Sequence, residues 1–427
     1  MLIDWTHWFL STPYDELLRI ATPLLLFDGV RYSLGAAIMF LCDFIRDLWR
    51  ALWGAEEPQQ YNHCPTICVV VAGLNEADTI GHTLESMWGT YPYMEAIIVD
   101  DGSNDGMADV AQQFADRHDN VTVLSRPRRG GKSSALNFAL PFTQAELIVC
   151  VDGDSHLAEN ALWEVVQPFA DPQVGAVSAN VGARNPFSSL ASWLQAFEYL
   201  QNIFIGRQVS SRTDTLGIIS GAFGAYRRDA LERMHGWDVG PGEDGDLTLR
   251  LRKSGYRIVF APYAQCYTNV PEKWSVLSRQ RRRWEWAVVT LECRKHIDLA
   301  NPFAKHFRWS NLVMLAERWL YNIILPYVSW IYLVWMTCHV HEDLWKLYFF
   351  YFLIYMMLQT FQASLFIYYS NDRWRDFKIG LVAPLTPFYQ LYMRIVTWIA
   401  VTEEMFSRRS FRDNFVPKHV RDATWHW

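Results

Sequence analysis

Four groups of residues in this chain carry side chains able to do chemistry. Asp100-Asp101-Gly102-Ser103 and Asp152-Gly153-Asp154 set carboxylates against glycines, Gly242-Glu243-Asp244 is a third acidic group, and Gln280-Arg281-Arg282-Arg283-Trp284 joins guanidinium groups to an indole. Carboxylates one residue apart, bent by Gly153, can reach one divalent cation. Mg2+ and Mn2+ take such oxygen ligands and commonly share them with phosphate. A carboxylate at position 244 can accept the proton of a hydroxyl nucleophile as a general base. Guanidinium forks fit phosphate oxygens, and the flat apolar face of Trp284 suits the C–H face of a sugar.

Each group also has a plainer reading. Asp-Gly-Ser is a common turn, and Asp-x-Asp recurs by chance. Glu243 and Asp244 open a helical stretch, where carboxylates are good caps. The arginines and Trp284 could anchor the chain at a membrane surface. Arg126–Ser134 (RPRRGGKSS) joins a strand to a helix and brings Lys132 and two glycines to a helix N-terminus, which favours anions. It lacks the first glycine of a Walker A loop and could be a solvated basic turn. What outweighs these readings is the placing of three acidic clusters at successive strand ends.

The elements that must position these residues follow from hydrophobic periodicity. From Tyr61 to Ala300, short apolar runs alternate with polar helical stretches, which predicts βαβ units around a parallel sheet. Strands are predicted at Ile67–Ala72, Ala96–Val99, Val121–Leu124, Leu147–Val151 and Gly175–Ser178, and helices at Ala77–Trp88, Met107–Arg117 and Lys132–Leu140. The first strand then ends at Asn75-Glu76, the second at Asp100-Asp101 and the fourth at Asp152–Asp154, all on the ligand-binding edge of an open α/β sheet. Pro186–Val209 reads as an amphipathic helix with an aromatic face, able to lie on a membrane or to pack on the sheet.

Apolar segments flank this region. Thr22–Phe44 is long enough to span a bilayer, with Asp28 and Arg31 placed to pair; an interfacial helix is the alternative. Arg46 and Arg50 put the following domain in the cytosol. Leu312–Thr337 and Leu344–Tyr369 read as further spans, joined by Cys338–Asp343. Ile379–Val401 contains Pro384, Pro387 and Arg394 and reads as a broken or re-entrant segment. The tail from residue 403 is basic. Hydrophobic residues make up 51% of the chain and aromatics 15%, which suits a membrane–water interface. The net charge of −6 argues against a nucleic-acid partner. The seven cysteines are scattered and suit free thiols in a cytosolic domain. No basic, cleavable leader pattern is seen at the start.

With these motifs in this order, residues 62–300 resemble the family 2 glycosyltransferases of GT-A fold, and within them the membrane-embedded processive synthases of cellulose, hyaluronan, poly-N-acetylglucosamine and chitooligosaccharides. The resemblance implies an α/β, Rossmann-like nucleotide-diphospho-sugar domain inserted between transmembrane helices. It implies that Asn75, Glu76, Asp100 and Asp101 contact the nucleoside, and that Lys132, Asp152 and Arg283 hold the nucleotide and its diphosphate. Asp152 and Asp154 match the D-x-D motif that binds Mg2+ or Mn2+. Ser220, Gly221 and Phe223 match the segment beside the acceptor. Asp244, with Glu243, matches the catalytic base, and Gln280 and Trp284 match the acceptor-stacking Q-x-x-R-W motif. Leu74 departs from the aromatic residue several members carry there, and no regulatory module follows the last spans.

The function so implied is a processive, inverting β-glycosyltransferase that polymerises a sugar from a UDP-sugar and exports the polysaccharide across the cell membrane, with an accessory export subunit as partner. A single-sugar transferase acting on polyprenyl phosphate is the alternative; such relatives usually lack Q-x-x-R-W. A non-enzymatic assembly protein of the same fold is a third, opposed by the intact acidic set.

Overall fold

The structure is a computed structural model. It describes residues 14–54, 61–305, 307–339, 344–413 and 416–424. The chain divides into two compact units. One comprises the described parts of Ala55–Glu317 and Ile399–Trp427, the other those of Met1–Gly54 and Arg318–Trp398. Residues 301–317 and the tail from Ile399 thus fold with the α/β region.

The larger unit is built on an eight-stranded sheet of order β3-β2-β1-β4-β7-β6-β8-β5. The strands are β1 (Ile67–Gly73), β2 (Met94–Asp100), β3 (Val121–Ser125), β4 (Leu147–Asp152), β5 (His156–Leu157), β6 (Val174–Ala183), β7 (Phe223–Arg227) and β8 (Arg257–Thr268). β1 to β4 are mutually parallel, as the apolar runs predict. Their runs are almost continuously apolar because helices cover both faces. Val69, Val71 and Ile98 pack on one face and Val70, Ile97 and Ile148 on the other, all but excluded from solvent.

Beyond β4 the sheet is mixed rather than parallel. β7 runs antiparallel between β4 and β6, β8 is parallel to β6, and β5 is antiparallel to β8. The β6–β8 register breaks between Ala179 and Asn180, where Ala261 and Gln265 are the successive partners on β8. Pro262 lies in that bulge, where its missing N–H costs no ladder bond. The Asn180 amide closes the bulge by donating to the Pro262 carbonyl (2.9 Å) and to Gln265 Oε1 (3.0 Å).

The aromatic stretch after Pro186 packs on the sheet. Its helix Leu190–Tyr199 is capped by Ser189 and buries Leu194, Phe197 and Tyr199. The chain then makes a π-helical turn at Leu200–Ile205 before the helix Gly206–Arg212.

In the other unit, helix Tyr14–Trp53 packs along helix Leu344–Tyr369. Gln362 donates to Ser33 Oγ (2.9 Å), and the Tyr369 hydroxyl donates to Asp43 (2.8 Å). The Asp28 and Arg31 side chains, expected to pair, and residues 340–343 of the Cys338–Asp343 connection lie outside what is described. Among the described residues one helix is long and apolar enough to cross a membrane, Tyr348–Tyr369, of 22 residues and mean hydropathy 1.4. The expected span 312–337 is helical from Trp309 to His339 through a π-turn at Leu320–Ile324. Near Pro384 the chain makes a short 3-10 turn, Ala383–Leu385, and restarts as helix Thr386–Ser407 with Pro387 in its first turn, where proline is tolerated.

Candidate active site

The ends of β1, β2 and β4 stand side by side, because the register pairs Gly73 with Asp100 and Ala72 with Asp152. Asn75 sits there with a left-handed backbone (φ 58°) and ties two loops together. Its amide donates to Ser103 Oγ (2.9 Å), and its Oδ1 accepts from the Asn104 amide (3.0 Å). Asp100 Oδ1 accepts from the Ser103 amide (2.9 Å). Both Asp100 and Asp101 are buried.

Asp101 organises the basic loop. Its carboxylate accepts from the Gly130 amide (2.8 Å) and the Gly131 amide (2.7 Å), and from Arg126 Nη1 (3.1 Å). Arg126 also donates to Ser134 Oγ (2.9 Å). The loop therefore turns toward Lys132 because a buried carboxylate saturates its amides. Gly131 has φ 86°, a conformation a side chain would strain.

Lys132 is the hub of the site. Its ammonium is in close contact with Asp152, donates to the Gly221 carbonyl (3.0 Å) and lies 4.0 Å from Glu243. Burial opposes the charge, but the carboxylates of Asp152, Glu243 and Asp244 outweigh it and hold the lysine protonated. On the other side of Gly221, its amide donates to Asp244 Oδ2 (3.1 Å), while Asp244 Oδ1 accepts from the Gly245 amide (2.7 Å). A Cβ at Gly221 would stand 3.1 Å from the lysine nitrogen and 3.2 Å from Asp244, so only glycine fits between them without displacement.

Glu243 and Asp244 begin the helix Glu243–Lys253, after Gly242 with φ 72°. A Cβ there would press on Ala287 at 2.9 Å, so Gly242 allows both the turn and the close approach of the helix Trp274–Thr290. Burial raises both carboxyls. It pushes Glu243 up to about 7, aided by the Asp244 charge, and raises Asp244 against the pull of Lys132.

Beside them, Asp154 accepts from Thr268 Oγ1 (3.3 Å). Glu76 reaches the same place with Oε2 buried and without a hydrogen-bond partner. Burial, and then the charges of Asp152 and Asp154, push Glu76 up to about 8. Among the described residues no three His, Cys, Asp or Glu side chains are grouped so that they could hold a metal ion by themselves. Asp152 and Asp154 lie near enough to Glu76 for their charges to raise it, and its buried oxygen has no hydrogen-bond partner; carboxylate oxygens of this kind suit a hard cation only where a ligand supplies the rest of its shell.

The helix Trp274–Thr290 presents the remaining motif. Trp284 is 44% exposed, and the Arg281 guanidinium lies over its ring, 4.2 Å from the centroid. Glu198 holds Arg281 at 2.7 Å, and Arg282 is paired with Glu403. Arg281 and Arg282 are thus each engaged by a glutamate of another helix. Gln280 has Oε1 buried without a partner. Arg283 is half-buried on the same helix. Phe223, expected beside the acceptor, is instead fully buried in the core on β7. Its neighbours Ser220 and Gly221 do reach the site.

Several residues escape motif reading. Thr268, at the end of β8, supports Asp154. Arg207 donates from Nη1 to Ser178 Oγ (2.7 Å) and Ser220 Oγ (2.8 Å). Asp246 receives Arg250 (2.7 Å), Lys295 (2.6 Å) and His296 (2.8 Å). Only Asp246 had a local signal, its i+2 spacing from Asp244.

A family model described as "Glycosyltransferase like family 2" matches residues 65–287. The chain is similar to poly-beta-1,6-N-acetyl-D-glucosamine synthases of Staphylococcus. One from S. epidermidis is 30% identical over 273 residues, 62% of this chain and 65% of the relative. One from S. aureus MSSA476 is 32% identical over 221 residues, 51% of this chain and 53% of the relative. The chain thus spans less than two thirds of these relatives. Among solved structures, the mannosyltransferase PcManGT from Pyrobaculum calidifontis, in complex with GDP-Man and Mn2+, is similar with a TM-score of 0.60 and 21% identity, over 92% of this chain and 99% of that one. That likeness is one of fold, and the mixed sheet is a GT-A sheet.

Proposed function

This chain belongs to the glycosyltransferase-like family 2, and we propose that it is a processive, inverting β-glycosyltransferase that polymerises an N-acetylhexosamine from a UDP-sugar. The names of the staphylococcal relatives supply the sugar and favour a β-1,6-linked product. One relay carries the reading: Asp152, Lys132, Gly221 and Asp244 contact one another in series, so donor diphosphate and general base share one anchored unit.

In this reading Asp152 and Asp154, with Glu76 behind them, would hold Mg2+ or Mn2+ once the donor is bound, and the cation would supply positive charge to offset that of the departing group. Asn75, Asp100 and Asp101 shape the nucleoside pocket, Asp101 by fixing the loop that carries Lys132. Trp284 stacks on the acceptor sugar, backed by Arg281, while Gln280, Ser220 and Arg283 line the approach. The acceptor hydroxyl gives its proton to Asp244, and its oxygen bonds the anomeric carbon on the face opposite the diphosphate. The carbon–oxygen bond to the diphosphate breaks, and its electron pair leaves on the phosphate oxygen, where Lys132 meets the charge. One displacement inverts the anomeric centre.

The helices of the smaller unit would hold the enzyme in the cell membrane and pass the polymer outward, with the catalytic unit in the cytosol. The test is to incubate purified protein with a panel of UDP- and GDP-sugars and Mg2+ or Mn2+, follow nucleotide release, and digest the product with linkage-specific glycosidases. UDP-N-acetylglucosamine should give a long, β-1,6-linked product. A single sugar transferred only to added polyprenyl phosphate would replace this reading with the lipid-linked one.

A further inference from the structure

The segment holding the proposed base is itself held by an arginine that no motif contains. Arg207 lies on the short helix Gly206–Arg212, just after the π-helical turn Leu200–Ile205. Such turns often mark places where a helix is re-aimed for function. Its Nη1 donates to two hydroxyls, Ser178 Oγ on β6 at 2.7 Å and Ser220 Oγ at 2.8 Å. Ser178 Oγ also accepts from the Ser220 amide at 3.3 Å. Ser220 is thereby fixed at main chain and side chain through one pair, and Ser178 is buried.

The next residue is Gly221, whose amide donates to Asp244 and whose carbonyl accepts from Lys132. Without a side chain, Gly221 has nothing of its own to hold its peptide planes. Their orientation is set from outside, by Lys132 and Asp244 at the peptide itself and by the hold of Arg207 on the neighbouring Ser220. The Arg207 charge also acts on Asp244, after burial, Lys132 and the Gly245 amide, and favours its ionised form.

We infer that Arg207 is a positioning residue for the proposed base: by clamping Ser178 and Ser220 it fixes the Gly221 amide and carbonyl, and so the spacing between Asp244 and Lys132. The inference rests on Asp244 being the base. It differs from a donor-binding role, because Arg207 acts through Ser220. Arg207→Lys keeps the charge and N–H donors but replaces the rigid planar guanidinium with a compact ammonium on a flexible stem.

The test compares Arg207→Ala, Arg207→Lys and Ser220→Ala with Asp244→Asn, measuring kcat per nucleotide-binding site and KM for the UDP-sugar. Counting sites by nucleotide binding removes the effect of misfolded protein. Arg207→Ala should lower kcat about 30-fold, within the range for a misplaced catalytic group, with KM for the donor within about threefold. Arg207→Lys should recover part of that loss, and Ser220→Ala should repeat it in smaller measure. Unchanged kcat in Arg207→Ala, or a loss expressed in donor KM alone, overturns the inference. Should Arg207→Ala not fold, Ser220→Ala decides: wild-type kcat there overturns it. Full turnover by Asp244→Asn would instead remove the base assignment itself, a separable outcome.

Discussion

The two halves of the sheet treat their carboxylates in opposite ways. In the parallel half, β1 to β4, Asp101 is held by two amides of the basic loop and by the Arg126 guanidinium, and Asp100 by the Ser103 amide. In the half built from β7, β6 and β8, Asp244 and Glu243 stand half-buried beside each other, with desolvation raising both. Asp152 and Asp154 stand at the seam, one on Lys132 and the other on Thr268 from β8. The lesson is that similar acidic motifs divide into architecture and chemistry according to which groups the fold brings to them. A carboxylate held by loop amides and a guanidinium shapes a loop, and one set beside a second carboxylate with its pKa raised keeps the capacity to take a proton.

The contrast is tested most severely at Asp244. Asp244→Asn should lower transfer by about a thousandfold, in the range of a lost general base, while equilibrium binding of UDP-sugar stays near wild type; retained turnover breaks the contrast. Next, Asp154→Ala or chelation by EDTA should lower the rate by about a hundredfold, since the site would lose its cation; activity undiminished in EDTA would remove the metal from the reading.

Asp101→Ala should act on the architecture instead. It strands two amides and the Arg126 charge, for a loss of about 3 kcal/mol in denaturant unfolding, with donor KM raised as the Lys132 loop slackens. A stable variant with lowered kcat alone would place Asp101 in the chemistry. Trp284→Ala should cost about tenfold in acceptor use, the scale of one lost stacking contact, read as shorter product at unchanged donor KM.

The smallest effect concerns the buried cluster behind the base. Burial lowers His296, although its bond to Asp246 resists. Asp246 is pushed up by burial but is held far below the usual carboxylate range by the His296 bond and by Arg250 and Lys295. These two shifts agree if neutral His296 donates from Nε2, which fits its unpartnered Nδ1. Both folded values lie below the unfolded ones, so their stability is present at neutral pH and declines as pH falls, first through about 6.5 and then below about 4. Melting of Asp246→Asn against wild type should show a shallower decline in the variant below about pH 4, where Asp246 takes its proton, and a decline at least as steep as wild type between about pH 7 and 4, where His296 responds without its carboxylate partner.

The parallel half was legible because β1, β2 and β4 are almost fully buried apolar runs, each followed directly by its own loop. Distance along the chain and distance in the site coincide there, and the strand ends carrying Asn75, Asp101 and Asp152 could be aligned from pattern alone. In the other half the pattern found β6, at Gly175–Ser178, but not β7 or β8. β7 (FGAYR) has no alternation, and β8 contains Pro262, so neither reads as a strand without its neighbours. Phe223 is the instructive miss: it follows Ser220 and Gly221 closely, yet the start of an antiparallel strand turns it into the core. Arg207, Glu198 and Thr268 enter the site from residues distant in sequence, which spacing cannot reveal.

By itself the sequence determined the chemical vocabulary of this protein: acidic clusters at strand ends, a lysine on a glycine loop, two carboxylates at a helix start and an indole after guanidinium groups. Residue type and short-range spacing fix those, since turns, caps and strand ends are local. The tertiary structure decided which carboxylate is satisfied, which arginine is already paired and which glycine bridges base and lysine. Those depend on hydrogen-bond donors and burial supplied by other strands, and no local rule carries that information.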